Sequence, residues 1–97
     1  NKSFYNQMIF ETLIKIVIFL NNKTVHTKKD IFSSLDKIIQ EILIKKIYQF
    51  LGQKKVILRS KKVQILIELI NKRKLNYFNL KGMVVFQKQN ILIFDIK

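Results

Sequence analysis

Tyr77-Phe78-Asn79-Leu80-Lys81-Gly82-Met83-Val84-Val85-Phe86, followed after Gln87 to Asn90 by Ile91-Leu92-Ile93-Phe94, is the stretch that decides the fold class. Its β-branched and aromatic runs, broken by Lys81-Gly82 and by a polar segment, read as three short strands, the last two forming a hairpin. Before Asn76 the apolar residues recur instead at spacings of three and four, the period of amphipathic helices. The chain is therefore expected to be α+β: a small helical unit of about three helices, then a short antiparallel β-hairpin or three-stranded sheet within residues 76–96.

Working back from the strands, Val63, Leu66, Ile67 and Ile70 predict a helix over 60–72, entered after the short apolar run Val56-Ile57-Leu58. Lys72, Arg73 and Lys74 fall at its carboxyl end, where the helix dipole favours cations. Leu35, Ile38, Ile39, Ile42, Ile47, Phe50 and Leu51 predict a core stripe on a helix over 34–51. Ser33 or Ser34 is expected to cap it, with Asp36 near its positive end and Gly52 just past its last turn. Glu41 and Lys45 stand four apart, in the order that favours a surface pair. Phe4, Met8, Ile9, Leu13, Ile16, Val17 and Leu20 predict a first helix over 4–20, and the polar segment 21–30, with Lys23, His26, Lys28 and Lys29, reads as a loop. The organisation expected is an amino-terminal helix and loop in 1–30 and a helical unit ending in a small sheet in 31–97, together one compact body.

Composition limits the chemistry. Ninety-seven residues suffice for one modest core, and a hydrophobic share of 48% is too high for a disordered tail even at a net charge of +13. With no cysteine and one histidine, His26, neither a disulfide framework nor a zinc site is expected. The apolar stretch from Leu13 to Leu20 is interrupted by Lys15 and falls far short of the roughly 20 residues that cross a bilayer, so no membrane role is expected. Gly52 and Gly82 stand alone, so no glycine-rich loop can cradle a nucleotide. The six acids are scattered and no Ser-His-Asp or Cys-His set can be assembled, so no catalytic, cofactor-binding or metal-binding residues are expected. The sequence opens at Asn1 with no signal-peptide pattern and reads as an excerpt of a longer product.

Charge is uneven along the chain. Residues 53–74 hold eight basic residues against the single acid Glu68, a local charge of +7. A face of this kind attracts polyanions and gains affinity by releasing counterions from phosphate. On charge alone the candidate RNA-binding residues are Lys45, Lys46, Arg59, Lys61, Lys62, Lys72 and Arg73. The competing account is a solvated lysine surface inflated by A/T-rich codons, a bias visible in the abundance of Lys, Ile, Asn and Phe. Phe78 and Phe86 have the chemistry to stack on bases, although strand aromatics in a small domain more often fill the core. His26 reads as an ordinary surface histidine.

From Phe32 to Ile96 the order of features resembles the region that follows the catalytic domain in tRNA(Ile)-lysidine synthases. The helix from Leu35 through Gln40 to Leu51 is similar to one in that family that starts with leucine, carries a glutamine and continues into basic and aliphatic residues. Ile57-Leu58-Arg59-Ser60-Lys61-Lys62-Val63 resembles the entry to the family's next helix, and Leu80-Lys81-Gly82-Met83 with the following runs resembles its Leu-Pro-Gly-Gly turn and closing hairpin. Lys81 and Met83 replace the usual proline and second glycine, Lys62 stands where histidine is frequent, and the family's nucleotide-binding Ser-Gly-Gly-x-Asp-Ser loop is absent.

The resemblance implies a tRNA-binding-type domain, encoded in a plastid and acting in its stroma, or in the cytoplasm of an A/T-rich bacterium. Its partners would be tRNA and an amino-terminal ATP-binding catalytic domain. That domain would use ATP to ligate lysine to the wobble cytidine of the CAU-anticodon isoleucine tRNA, and this piece would need no cofactor of its own. The alternative reading is a small basic organellar ribosomal or other RNA-binding protein.

Overall fold

The computed structural model describes residues 2–52 and 57–96, with the side chains at positions 2, 3 and 5 left aside. Over these residues the order is α1 (Lys2–Ile16), β1 (Val17–Leu20), β2 (Thr24–Lys28), α2 (Lys29–Ser33), α3 (Lys37–Phe50), α4 (Ser60–Asn71), β3 (Tyr77–Leu80), β4 (Met83–Lys88) and β5 (Ile91–Ile96). The α+β architecture follows the change of period after Asn76, but the sheet is larger than the three strands expected there. It has five antiparallel strands in the order β1-β2-β5-β4-β3.

Both additional strands come from the amino-terminal third and correct the reading of that segment. The first helix stops at Ile16, because Val17–Leu20 pairs with β2. A continuous apolar run fits the helical and the extended template equally, and here the edge hydrogen bonds decide. The expected loop over 21–30 contains β2, which lies inside the sheet between β1 and β5. Thr24, Val25 and Thr27 supply its β-branched character, with Val25 and Thr27 buried, while the polar atoms of Thr24, His26 and Thr27 hide the alternation from a hydropathy reading. Asn21, the first residue past the expected helix, shapes the β1–β2 turn: its Oδ1 accepts the N–H groups of Lys23 and Thr24 at 2.8 and 2.9 Å.

The expected helix over 34–51 is divided. Phe32 is fully buried, and α2 is a short helix that carries it inward before the chain turns. Ser34 closes this turn by donating its hydroxyl to the Ile31 carbonyl at 2.7 Å, and α3 begins after Asp36, which makes no side-chain cap bond. Neither serine caps α3. Its buried stripe is Gln40, Leu43, Ile44, Ile47, Tyr48 and Leu51, spaced by three and four. Ile38, 71% exposed, and Phe50 lie off this arc, since the apolar residues of α3 cover more of its circumference than the sheet can bury. Phe4 and Leu20, also expected inside, are exposed, whereas all four expected core positions of α4 are buried. Val56 falls outside the described residues; Ile57 is exposed and Leu58 buried.

The helices cover one face of the sheet. Val25, Leu80, Met83, Val85, Leu92 and Phe94 share a hydrophobic cluster with Ile9, Ile16, Phe32 and the buried faces of α3 and α4. Two tight turns complete the carboxyl-terminal meander. At Lys81-Gly82 both residues have positive φ, 49° and 91°, as a type I′ turn requires. At Gln89-Asn90 only Gln89 does. Tyr48 ties α3 to the first turn by donating its hydroxyl to the Lys81 carbonyl at 2.8 Å, and burial pushes its phenol pKa up.

One buried polar group fixes the helix layer. The Gln40 amide donates to the Phe32 carbonyl at 2.7 Å and exchanges two 3.1 Å hydrogen bonds with the Asn71 amide, so α2, α3 and the end of α4 share one clamp. Removing Gln40 would strand the Phe32 carbonyl, while the exposed Asn71 amide could turn to water, at a cost of about 1–3 kcal/mol. Gln40→Ala is expected to lower the urea-denaturation free energy by that amount. The exposed Gln64→Ala should cost less than about 0.5 kcal/mol. Equal losses for the two variants would show that the clamp contributes nothing.

Candidate nucleic-acid interface

α3 and α4 run antiparallel, with Ser60 and Gln64 beside Glu41. This packing distributes the seven candidate cations unequally. Lys45 is half-buried and committed: its ammonium donates to Glu41 at 2.9 Å and to the Ser60 hydroxyl at 3.1 Å, while that hydroxyl donates to Glu41 at 2.8 Å. The Lys45 hydrogen bond is the main cause holding the Glu41 carboxyl below its ordinary pKa; desolvation opposes it, and Ser60 and Gln64 add to the lowering. The surface pair expected from the sequence thus forms and recruits the start of α4. Lys46, one residue on, lies elsewhere, at the rim of an apolar groove lined by Phe10, Ile14 and Phe50.

Arg59, Lys61 and Lys62 are exposed and crowd the amino-terminal end of α4. α4 itself has no acid in that first turn, and the Glu41 carboxylate that reaches Ser60 is already paired with Lys45. Cations there oppose the positive end of the helix dipole at a cost of roughly 0.3–1 kcal/mol each, and an anion would reverse the balance. Lys61 also lines a groove of about 390 Å³ between α3 and α4, together with Lys37, Glu41 and Glu68. Nothing in the sequence singles out Lys37, since its place in the same groove as Lys61 depends on the packing of α3 against α4.

Lys72, Arg73 and Lys74 form a second exposed group at the other end of α4, roughly 18 Å away at 1.5 Å per residue. Lys72 makes a 3.6 Å exposed ion pair with Glu68, which contributes little. Arg73 occupies the left-handed position after the helix, φ 59°, where glycine is usual. The Arg73 and Lys74 amides bond the Ile70 and Leu69 carbonyls at 3.1 and 2.9 Å, completing a Schellman cap. Lys54 and Lys55 lie outside the described residues. Among the described residues no cluster of three or more His, Asp or Glu is placed to hold a metal, and no helix is long and apolar enough to cross a membrane.

An arginine in the left-handed region is strained, so Arg73→Gly should raise folding stability by roughly 0.5–1 kcal/mol in a denaturant melt, after the added unfolded-state entropy of glycine. The same variant should bind RNA more weakly if Arg73 meets phosphate. A stability loss would contradict the strain argument.

Comparison of the chain with protein-family models, with curated proteins and with solved structures returns no match.

Proposed function

We propose that this chain is an RNA-binding piece of the tRNA(Ile)-lysidine synthase type, from the region after the catalytic domain. It would hold the isoleucine tRNA with the CAU anticodon while an amino-terminal domain activates the wobble cytidine with ATP and transfers lysine to it. The plastid stroma is the compartment that goes with this reading.

The observation that carries the proposal is the concentration of cations about α4: Arg59, Lys61 and Lys62 at one end and Lys72, Arg73 and Lys74 at the other, all exposed. The first group is placed against the helix dipole and Arg73 in a strained conformation, arrangements that cost stability and are relieved or repaid by bound phosphate. The order of α3, α4 and the β4–β5 hairpin accords with the resemblance. At Lys81 the likeness is one of sequence order only, since φ 49° is closed to the family's proline.

Replacing Arg59, Lys61 and Lys62 together by Gln is expected to weaken tRNA binding and to flatten its salt dependence. The slope of log affinity against log salt should fall by about 0.7–0.9 for each phosphate that the variant no longer neutralises. Folding stability should hold or rise, because like charges leave a helix amino terminus. The control triple Lys2, Lys15 and Lys23 to Gln removes the same charge and should have little effect. Equal weakening in both triples would show diffuse charge rather than a site.

Incubating the chain with ATP, lysine and the tRNA should yield no lysidine by mass spectrometry of the nucleosides. Measurable product would place the chemistry within this chain and overturn the division of labour.

A further inference from the structure

The sheet has a second face, turned away from the helices, and its register builds one row across all five strands. Phe19 is opposite His26, His26 opposite Ile93, Ile93 opposite Phe86, and Phe86 opposite Tyr77. None of these residues belongs to the hydrophobic cluster beneath the helices or packs against it. Phe19 is 51% and Tyr77 58% exposed, His26 and Phe86 are half-buried, and the Phe19 and His26 rings stand 5.3 Å apart at 52°. Ile93, 8% exposed, and Val84, 4%, fill the middle, so the rings flank an apolar floor.

Charge flanks the row asymmetrically. Two residues along the strands on one side lie Lys28 and Lys88, both exposed and both opposite Ile91. On the other side lie Thr24, Asp95, Val84 and Asn79. The Thr24 hydroxyl donates to the Asp95 carboxylate.

We propose that this face is a stacking platform for unpaired RNA nucleotides, a surface separate from the cations of α4; the proposal rests on the RNA-binding reading above. Five strands at about 4.8 Å spacing make a row of roughly 19 Å, room for about two or three bases on the rings. The phosphates run along the Lys28 and Lys88 side. Exocyclic amino groups of the bases point toward Asp95, a carboxylate that can accept from them. A second copy of the chain is a poor occupant, since each copy carries a net charge of +13 and would bring its own Lys28 and Lys88 to the contact. A bilayer is equally ill matched, because the central residues are sunk between their neighbours rather than protruding.

The test uses fluorescence anisotropy of the full chain with a short single-stranded oligoadenylate, an RNA duplex and anionic lipid vesicles, at several salt concentrations. Phe19→Leu, Phe86→Leu and Tyr77→Leu should each weaken oligoadenylate binding about fivefold or more, leaving the salt slope and duplex binding unchanged. Tyr77→Phe, which keeps the ring, should bind as the parent does. Photocrosslinking of an oligonucleotide carrying 5-iodouridine to the unaltered protein needs no variant and should label Phe19, Tyr77 or Phe86. Oligoadenylate binding that survives the Leu variants, crosslinks confined to α4, or loss of vesicle binding alone would each overturn the platform while leaving RNA binding by α4 intact. Failure of the parent chain to bind any RNA at low salt would overturn the proposed function itself and the platform with it.

Discussion

The pairing of β2 with β5 is the interaction on which the remaining structure depends. It joins residues Thr24 to Lys28 with Ile91 to Asp95 through five aligned residue pairs, bringing together segments separated by most of the chain. Closing so long a loop costs conformational entropy, which burial of Val25, Leu92 and Phe94 in the common core offsets. Without this ladder the amino-terminal hairpin would be an isolated two-stranded element, marginal in water, and α1 would lose its place against the core. With it, one face of the sheet is covered by helices and the other carries the row from Phe19 to Tyr77.

The helix layer depends on a second, polar constraint. Apolar packing alone leaves the rotation of α3 loosely determined, because its apolar residues span more than the buried arc, as exposed Ile38 and Phe50 show. The Gln40 amide meets both the Phe32 carbonyl and Asn71, and because a buried amide left unpaired is costly, these bonds favour the observed rotation. That rotation sets Glu41 and Lys45 against Ser60 and leaves Arg59, Lys61 and Lys62 exposed.

Cations at the start of α4 and an arginine in a left-handed cap are local choices that stability by itself disfavours. Both occur on the same helix and both keep cations exposed, and they are the local features on which the proposed phosphate-binding role rests. The outer sheet face differs in kind. In the proposed reading its aromatic rings would give contact area that salt does not screen, whereas attraction of α4 for phosphate would fall as salt rises. Charge attracts polyanions broadly, and rings discriminate stacked from unstacked bases.

The sequence by itself determined the elements whose side chains advertise them: α4 through its apolar spacing, the three carboxyl-terminal strands through β-branched runs and turn residues, and the concentration of charge about α4 through simple counting. It also identified Phe78 and Phe86 as residues with the chemistry to stack, but not that they face opposite ways, Phe78 against the core and Phe86 outward. The β1–β2 hairpin escaped because Val17–Leu20 suits helix and strand alike, and because β2 presents threonines and a histidine where apolar residues would have marked the alternation. Only the tertiary structure decided these points, for a physical reason common to all of them. A strand's state is settled by the partner that takes its backbone hydrogen bonds, and the partner of β2 lies in β5, at the far end of the chain. The row of Phe19, His26, Ile93, Phe86 and Tyr77 likewise exists only in the register of five paired strands, and no local pattern in the sequence contains it.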